Sequence, residues 1–266
     1  VDLPDSLVVQ VEATLKARGL DAEVLNFGVG GYGFDQAYLF YNRDGGRFDT
    51  NVIVQGLQME NVGRDVTLFR IVAFPGTSIP FSKPRYLLND GKLELINRPT
   101  TVPEDVVKTL ENFHRWPLAK YEPSYTEKYQ HRWYTPSKLV STIVDFRAAK
   151  QEQPQDLYAV NGEAMDITVT LLERYREEVK RTGKPFVLIY LPLADTINAV
   201  VAGQPDPWQP HLNRLQGFTI VDPTPRLVAY AKEHGVASLY NGHYSPAGYR
   251  LVAEALAEAL VPLAVH

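Results

Sequence analysis

The chain has 266 residues, and 45% of them are hydrophobic, which is enough for a sizeable core and argues against global disorder. Its formal net charge is -4 and its pI is about 5.9, so nothing suggests a phosphate-binding surface, and nucleic acid is not an expected partner. The absence of cysteine excludes disulfides, Cys-ligated zinc and a cysteine nucleophile.

The ends of the sequence carry no recognisable targeting segment. No apolar run approaches the roughly 20 residues that a bilayer-spanning helix needs, so no membrane span is expected in this chain. The first residue is Val1 and no signal peptide is visible, from which we expect that the chain begins inside a longer protein. The cellular compartment stays open, and so does the presence of a homo-oligomer.

The first sixty residues alternate between helix and strand patterns. Asp5 or Ser6 is a candidate helix cap, and Gly19 is a stop signal. The predicted elements are a helix from there to Gly19, a strand at 23–28, a helix at about 34–43 and a strand at 51–58. This alternation is typical of a parallel sheet with crossover helices.

Residues 65–155 interrupt the alternation, and we interpret them as an insertion after the second visible strand. Two apolar runs around Asn89-Asp90-Gly91 predict a β-hairpin at 85–95. A stretch rich in Tyr, Trp, His and Pro follows. We favour packing of this block over the sheet, and the alternative is that its aromatic rings stack on sugars; the rings concerned are Trp116, Tyr121, Tyr125, Tyr129, Trp133 and Tyr134.

The alternation then resumes to the end of the chain. The unbroken apolar run at 184–192 predicts a central strand that is covered on both faces. The other predicted elements are helices at about 160–182, 226–234 and 246–260 and a strand at 218–222.

Three groups of residues follow predicted strands, where α/β sheets place their ligands. They are the turn with Gly28, Gly30, Gly31 and Gly33, the segment Met59-Glu60-Asn61 with Arg64, and the loop with Asn241 and His243. Each group alone is more often structural than functional. The glycines match no nucleotide-binding pattern and the other histidines share no ligand spacing, so neither a cofactor nor a metal is expected.

Taken together, the three groups supply complementary parts of an acyl-transfer site. The backbone N–H of Gly31 and the side-chain amide of Asn61 are donors suited to a developing oxyanion. His243 is suited to take a proton from a hydroxyl nucleophile near neutral pH. The part that this sequence does not supply is the nucleophile.

The segments VLNFGVGGYG, VIVQGLQMEN and GHYSPAGYRLVAEAL resemble the SGNH (GDSL-like) hydrolase superfamily, in a bacterial subgroup. The resemblance implies a flavodoxin-like three-layer α/β/α fold with a parallel central sheet, in one domain over residues 1–266. It also implies catalytic roles for Gly31, Asn61 and His243, which match the second, third and fourth family blocks. If the third block reads Asn-Asp, Glu60 takes the place of the usual Asn; we prefer Asn61 because it needs no shift.

The sequence departs from the family pattern at two points. No GDS motif is present, and Ser6 fits a helix start better than a nucleophile; we expect the first strand and its serine upstream of Val1. The acid that often precedes the family's histidine is replaced by Asn241, which accepts a hydrogen bond but cannot offset a charge. Asp222 is another conceivable acid, and Glu60 and Arg64 are expected to pair.

The resemblance implies a serine ester hydrolase or O-acyltransferase acting on small-molecule or carbohydrate esters, including O-acetylated carbohydrate. Without its nucleophile, the chain as given is expected to be inert toward esters. The alternative is a non-catalytic module of the same fold that binds carbohydrate or serves in assembly, with Asn241 as a sign of relaxed catalysis.

Overall fold

In a computed structural model of the protein, residues 5–73, 81–123 and 157–263 are described. The helices are α1 (Leu7–Ala17), α2 (Phe34–Arg43), α3 (Val62–Asp65), α4 (Arg70–Ala73), α5 (Pro103–Glu111), α6 (Glu163–Lys180), α7 (Ala194–Val201), α8 (Gln209–Leu212), α9 (Thr224–His234) and α10 (Pro246–Leu260). The strands are β1 (Ile53–Leu57), β2 (Arg85–Asn89), β3 (Lys92–Ile96), β4 (Phe186–Tyr190), β5 (Thr219–Val221), β6 (Tyr240–Asn241) and β7 (His243–Tyr244).

The chain divides into two compact units. The first unit comprises Val1–Gly30, Leu39–Met59 and Leu172–His266, and the second comprises Gly31–Tyr38 and Glu60–Leu171. The predicted single domain with an insertion at about 65–155 remains a prediction, because residues 74–80 and 124–156 lie outside the described part of the chain.

The first unit contains a parallel sheet in the order β1-β4-β5. Every residue of β4 is buried, which confirms the prediction of a central strand covered on both faces. The described residues therefore form an α/β structure. Among them, no helix combines the length and the apolar character that crossing a bilayer requires.

The core of the first unit joins the outer helices to β4. Val11 and Leu15 on α1 belong to one buried cluster with Val252 and Leu256 on α10 and with Val187 of β4. Arg18 donates to Glu258 at 3.1 Å, so the carboxyl ends of α1 and α10 lie together and the two helices run parallel. The helical spacing predicted for α1 is confirmed by this burial.

The predicted strand at 23–28 is wrong. These residues form no ladder with any strand of the described chain, although Val24 packs against the core. The Asn26 side chain accepts a hydrogen bond from the Gly28 N–H at 2.9 Å, a local turn that competes with sheet formation. Apolar character alone could not reveal whether a partner strand lies alongside.

The second unit has its own core and hairpin. Strands β2 and β3 are joined by Asp90 (φ 48°) and Gly91 (φ 74°), as the Asn-Asp-Gly signal predicts for a two-residue turn. The ring of Phe69 contacts those of Phe113 and Trp116, at 5.7 and 5.2 Å between centroids. Trp116 therefore packs within this unit. Tyr125, Tyr129, Trp133 and Tyr134 lie outside the described residues, so packing of the aromatic block over the sheet stays a prediction.

Candidate functional site

His243 lies on a short hairpin of the first unit. Strands β6 and β7 pair so that Asn241 is directly opposite His243, and Gly242 forms the bend with φ 71°. Opposite residues of an antiparallel pair present their side chains on the same face, with Cβ atoms about 4.5–5.5 Å apart. The structure therefore brings Asn241 and His243 together, as the sequence predicts.

Two tyrosines fix this hairpin at the carboxyl end of β4. The hydroxyl of Tyr240 donates to the Pro192 carbonyl at 2.9 Å, and the Tyr244 hydroxyl donates to the same oxygen. Pro192 follows the last residue of β4 by two positions. His243 is thus held beside the edge of the sheet where parallel α/β folds place their ligands.

The start of α10 fixes the other side of the hairpin. Ser245 caps the helix by accepting from the Gly248 N–H at 3.2 Å, and its hydroxyl donates to the Ser238 carbonyl at 2.6 Å. Gly248 leaves no room for a side chain, because a Cβ there would lie 2.5 Å from the Leu239 carbonyl oxygen. The imidazole of His243 remains exposed to solvent.

No acid takes the place of Asn241 within the described residues. Neither Asn241 nor His243 forms a side-chain hydrogen bond there, so Asn241, whose amide oxygen can accept from the ring N–H, does not do so in this structure. Asp222 accepts from the Thr224 N–H at 2.8 Å and so caps the start of α9.

Gly31 lies in a turn of the second unit whose backbone carbonyls accept hydrogen bonds from two arginines. Gly31 has φ 87°, a conformation that favours glycine. Arg70 donates to the Gly31 carbonyl at 3.0 Å, and Arg64 donates to the Tyr32 carbonyl at 3.1 Å. Burial lowers the pKa of Arg64, and the nearby charge of Arg70 lowers it further. The negative charge of Glu60 raises the pKa of Arg64 slightly, but Arg64 donates its hydrogen bond to the Tyr32 carbonyl and not to Glu60.

Asn61 lies between a 3-10 turn and α3. It is the last residue of the turn Met59–Asn61 and immediately precedes α3, whose Arg64 reaches the Gly31 turn. Its Oδ1 is buried and accepts no hydrogen bond from the described residues. Buried polar atoms usually have a partner, so this side chain has hydrogen-bonding capacity that the fold does not use.

A buried acidic pair beneath the Gly31 turn was missed by the sequence analysis. Asp35 and Asp65 are both 0% exposed, and Lys83 pairs with Asp35. The Asp35 N–H donates to Asp65 Oδ1 at 3.1 Å, so Asp65 caps the start of α2 from 30 residues away. Nothing in the local sequence distinguishes these two aspartates from exposed ones, since Asp35 precedes Gln36 and Asp65 follows Arg64.

Gly33, in the same turn, packs closely against the two carboxyl groups of this acidic pair. A Cβ at Gly33 would lie 2.5 Å from Asp65 Oδ1 and 2.8 Å from Asp35 Oδ1. We expect Gly33→Ala to lower the free energy of unfolding by about 1–3 kcal/mol, as overpacking does elsewhere. Urea denaturation followed by circular dichroism measures it. Gly30→Ala is the matched control, since nothing lies within 4 Å of its Cβ position, and equal losses in both variants would contradict the packing argument.

Ser6 lies at the start of α1, as expected. It is the N-cap residue, its side chain makes no capping hydrogen bond, and its Oγ is buried without a partner among the described residues. Because α1 and α10 run parallel, Ser6 and Ser245 lie at the same end of this helix pair. Within the described ranges, no group of three or more His, Cys, Asp or Glu side chains is arranged to hold a metal ion.

The site residues are divided between the units, with Asn241 and His243 in the first and Gly31 and Asn61 in the second. Comparisons with protein-family models, with curated proteins and with solved structures each found no match for the chain. Functional roles for these residues therefore depend on the geometry within each unit and on the resemblance of the three sequence segments.

Proposed function

We propose that the protein is an SGNH-type serine ester hydrolase or O-acyltransferase with a flavodoxin-like three-layer fold. The observation that carries the proposal is the position of His243. Tyrosine hydrogen bonds anchor its hairpin at the carboxyl end of β4, and its imidazole is exposed just before the cap of α10. A surface histidine without a chemical role would not require a hairpin that is anchored both at Pro192 and at the start of α10.

In the proposed reaction, a serine hydroxyl attacks the acyl carbonyl of an ester. His243 takes the hydroxyl proton during the attack and returns it to the departing alcohol. The N–H of Gly31 and the side-chain amide of Asn61 stabilise the oxyanion of the tetrahedral intermediate. The bracing of the Gly31 turn supports the first of these roles. The role of Asn61 depends on its Nδ2–H donor, since its unpartnered Oδ1 can only accept.

The open edge of β1 supports the proposed origin of the serine. Strand β1 pairs only with β4 among the described residues, and its Val54 is 36% exposed. We propose that the serine-bearing strand pairs with this open edge of β1, which would satisfy its unpaired backbone groups.

Asn241 takes the position of the orienting acid in this proposal. Because it cannot offset the charge of an imidazolium, His243 would act with the serine as a dyad. We propose acyl esters as the substrate class, with O-acetylated carbohydrate as one form of the alcohol part.

The test uses the full-length gene product, including any residues upstream of Val1, with p-nitrophenyl acetate as substrate. We expect Asn61→Ala to lower kcat by about 10²–10³-fold, as for removal of one oxyanion donor. Glu60→Ala is the matched control on the preceding residue and should retain activity. If activity is lost only in Glu60→Ala, position 60 rather than 61 takes the place of the family's Asn. An inactive wild type would refute the proposal.

A further inference from the structure

In the second unit, the protonation states and hydrogen-bond directions of four neighbouring side chains depend on one another. Asp35, Asp65 and Thr168 are buried, and Lys83 supplies the positive charge that pairs with Asp35. Asp35 Oδ1 also accepts from the Gln36 N–H at 2.7 Å. Asp35 therefore has the contacts of an ionised carboxylate, whereas Asp65 has no cation of its own among these four.

Thr168 makes two contacts that a protonated Asp65 can complete. Its Oγ1 lies 2.7 Å from Asp65 Oδ2 and 2.8 Å from the Ala164 carbonyl oxygen. A hydroxyl carries one hydrogen, and a carbonyl oxygen can only accept. If the hydroxyl hydrogen points to Ala164, the hydrogen of the other contact has to come from Asp65. Protonated Asp65 satisfies both contacts.

Burial and the charge of Asp35 favour a neutral Asp65, whereas the charge of Lys83 opposes it. The charged groups that face Asp65 are Asp35 from α2, Lys83 from the segment before β2, and the neighbouring Arg64 of α3. Burial raises the pKa of Asp65 well above its usual range, and the Asp35 charge raises it further. Burial also raises the pKa of Asp35, but Lys83 opposes that effect.

We propose that Asp65 is held as a neutral carboxylic acid whose proton acts as a latch on the Gly31–Gly33 turn and the start of α2. The protonated acid donates to Thr168, while its other oxygen accepts the Asp35 N–H at 3.1 Å. Loss of the proton places a second negative charge beside the ionised Asp35 in a fully buried position, where Lys83 is already paired with Asp35. This device is independent of the proposed esterase activity.

The latch has a definite sign of pH dependence. An unfolded aspartate titrates at about 3.9, and the folded pKa of Asp65 lies above that value. Its stabilising contribution is therefore complete below the unfolded pKa and is lost as the pH rises through the folded pKa. In that window, the unfolding equilibrium constant of the wild type rises roughly tenfold per pH unit relative to a variant without the titrating group.

The experiment compares Asp65→Asn with wild type, on the chain as it is, by urea denaturation across this pH range. Asparagine reproduces a neutral acid here, because its amide donates to Thr168 and its oxygen accepts from Asp35. We expect Asp65→Asn to fold and to remove the tenfold-per-unit dependence. The control Asp90→Asn makes the same change on the exposed hairpin turn, where asparagine tolerates a positive φ, and should keep the wild-type profile.

A second readout is the infrared band of protonated carboxyl groups at neutral pH. The wild type and Asp90→Asn should show this band, and Asp65→Asn should lack it. The proposal is overturned if the wild type has no such band, if the band survives in Asp65→Asn, or if the two pH profiles run parallel. Failure of Asp65→Asn to fold would also overturn it, since only an ionised Asp65 is poorly replaced by an amide.

Discussion

Replacing His243 with alanine in the full-length gene product is expected to lower kcat/KM for p-nitrophenyl acetate by about 10²–10⁴-fold, the usual contribution of a general base. The loss follows because His243 is the general base of the proposed reaction, and Asn241 opposite it carries an amide, which cannot take the proton. The fold should persist, since the imidazole is exposed and the hairpin is anchored by Tyr240 and Tyr244. Initial-rate kinetics and circular dichroism measure the two effects separately.

The matched control is His234→Ala, a second solvent-exposed histidine of the first unit, whose ring packs on Tyr230 at 4.2 Å. It should leave the turnover unchanged. Full activity in His243→Ala would refute the assigned role even if the protein proves to be an esterase. Equal losses in both variants would indicate a general effect of removing histidine rather than loss of a base.

Replacing Lys83 with methionine is expected to lower the free energy of unfolding by about 3–5 kcal/mol, the usual cost of removing one partner from a buried ion pair. The Lys83 side chain is 12% exposed and Asp35 is fully buried, so water cannot replace the lost cation. No cation then offsets the desolvation of Asp35, although the hydrogen bond from the Gln36 N–H remains. Urea denaturation at neutral pH measures the loss.

The control Lys92→Met removes the same charge at an exposed position of β3 and should change stability little. The double variant Lys83→Met/Asp35→Asn should lose less stability than Lys83→Met alone, because no unpaired charge remains and the amide still accepts from Gln36. If the double variant is as unstable as Lys83→Met, the altered side-chain shape at position 83, and not the unpaired charge of Asp35, explains the loss of stability.

Local signals predicted five of the ten helices of the described residues, and the hairpin turn. Helix α10 covers Pro246–Leu260 as predicted, because its cap, its first-turn proline and its apolar spacing all lie within one short segment. The turn at Asp90-Gly91 depends on two residues that tolerate positive φ. Features of this kind need no information about the rest of the chain.

The prediction of strands from the sequence failed where strand formation depends on a neighbouring strand that is distant in the chain. The segments 23–28 and 51–58 have similar apolar character, yet only the second contributes a strand, because β1 has β4 beside it. The acidic pair was missed for a related reason. Asp35 and Asp65 are 30 residues apart and look like ordinary charged positions, and their burial depends on contacts that reach as far as Thr168.

The amino-acid sequence by itself determined five of the helices and the turn at Asp90-Gly91, because these features arise between residues close in the chain. Only the tertiary structure decided which apolar segments become strands, which acids are buried, and what holds the Gly31 turn. Those outcomes depend on desolvation and on hydrogen bonds between distant residues, and neither is visible until the chain has folded.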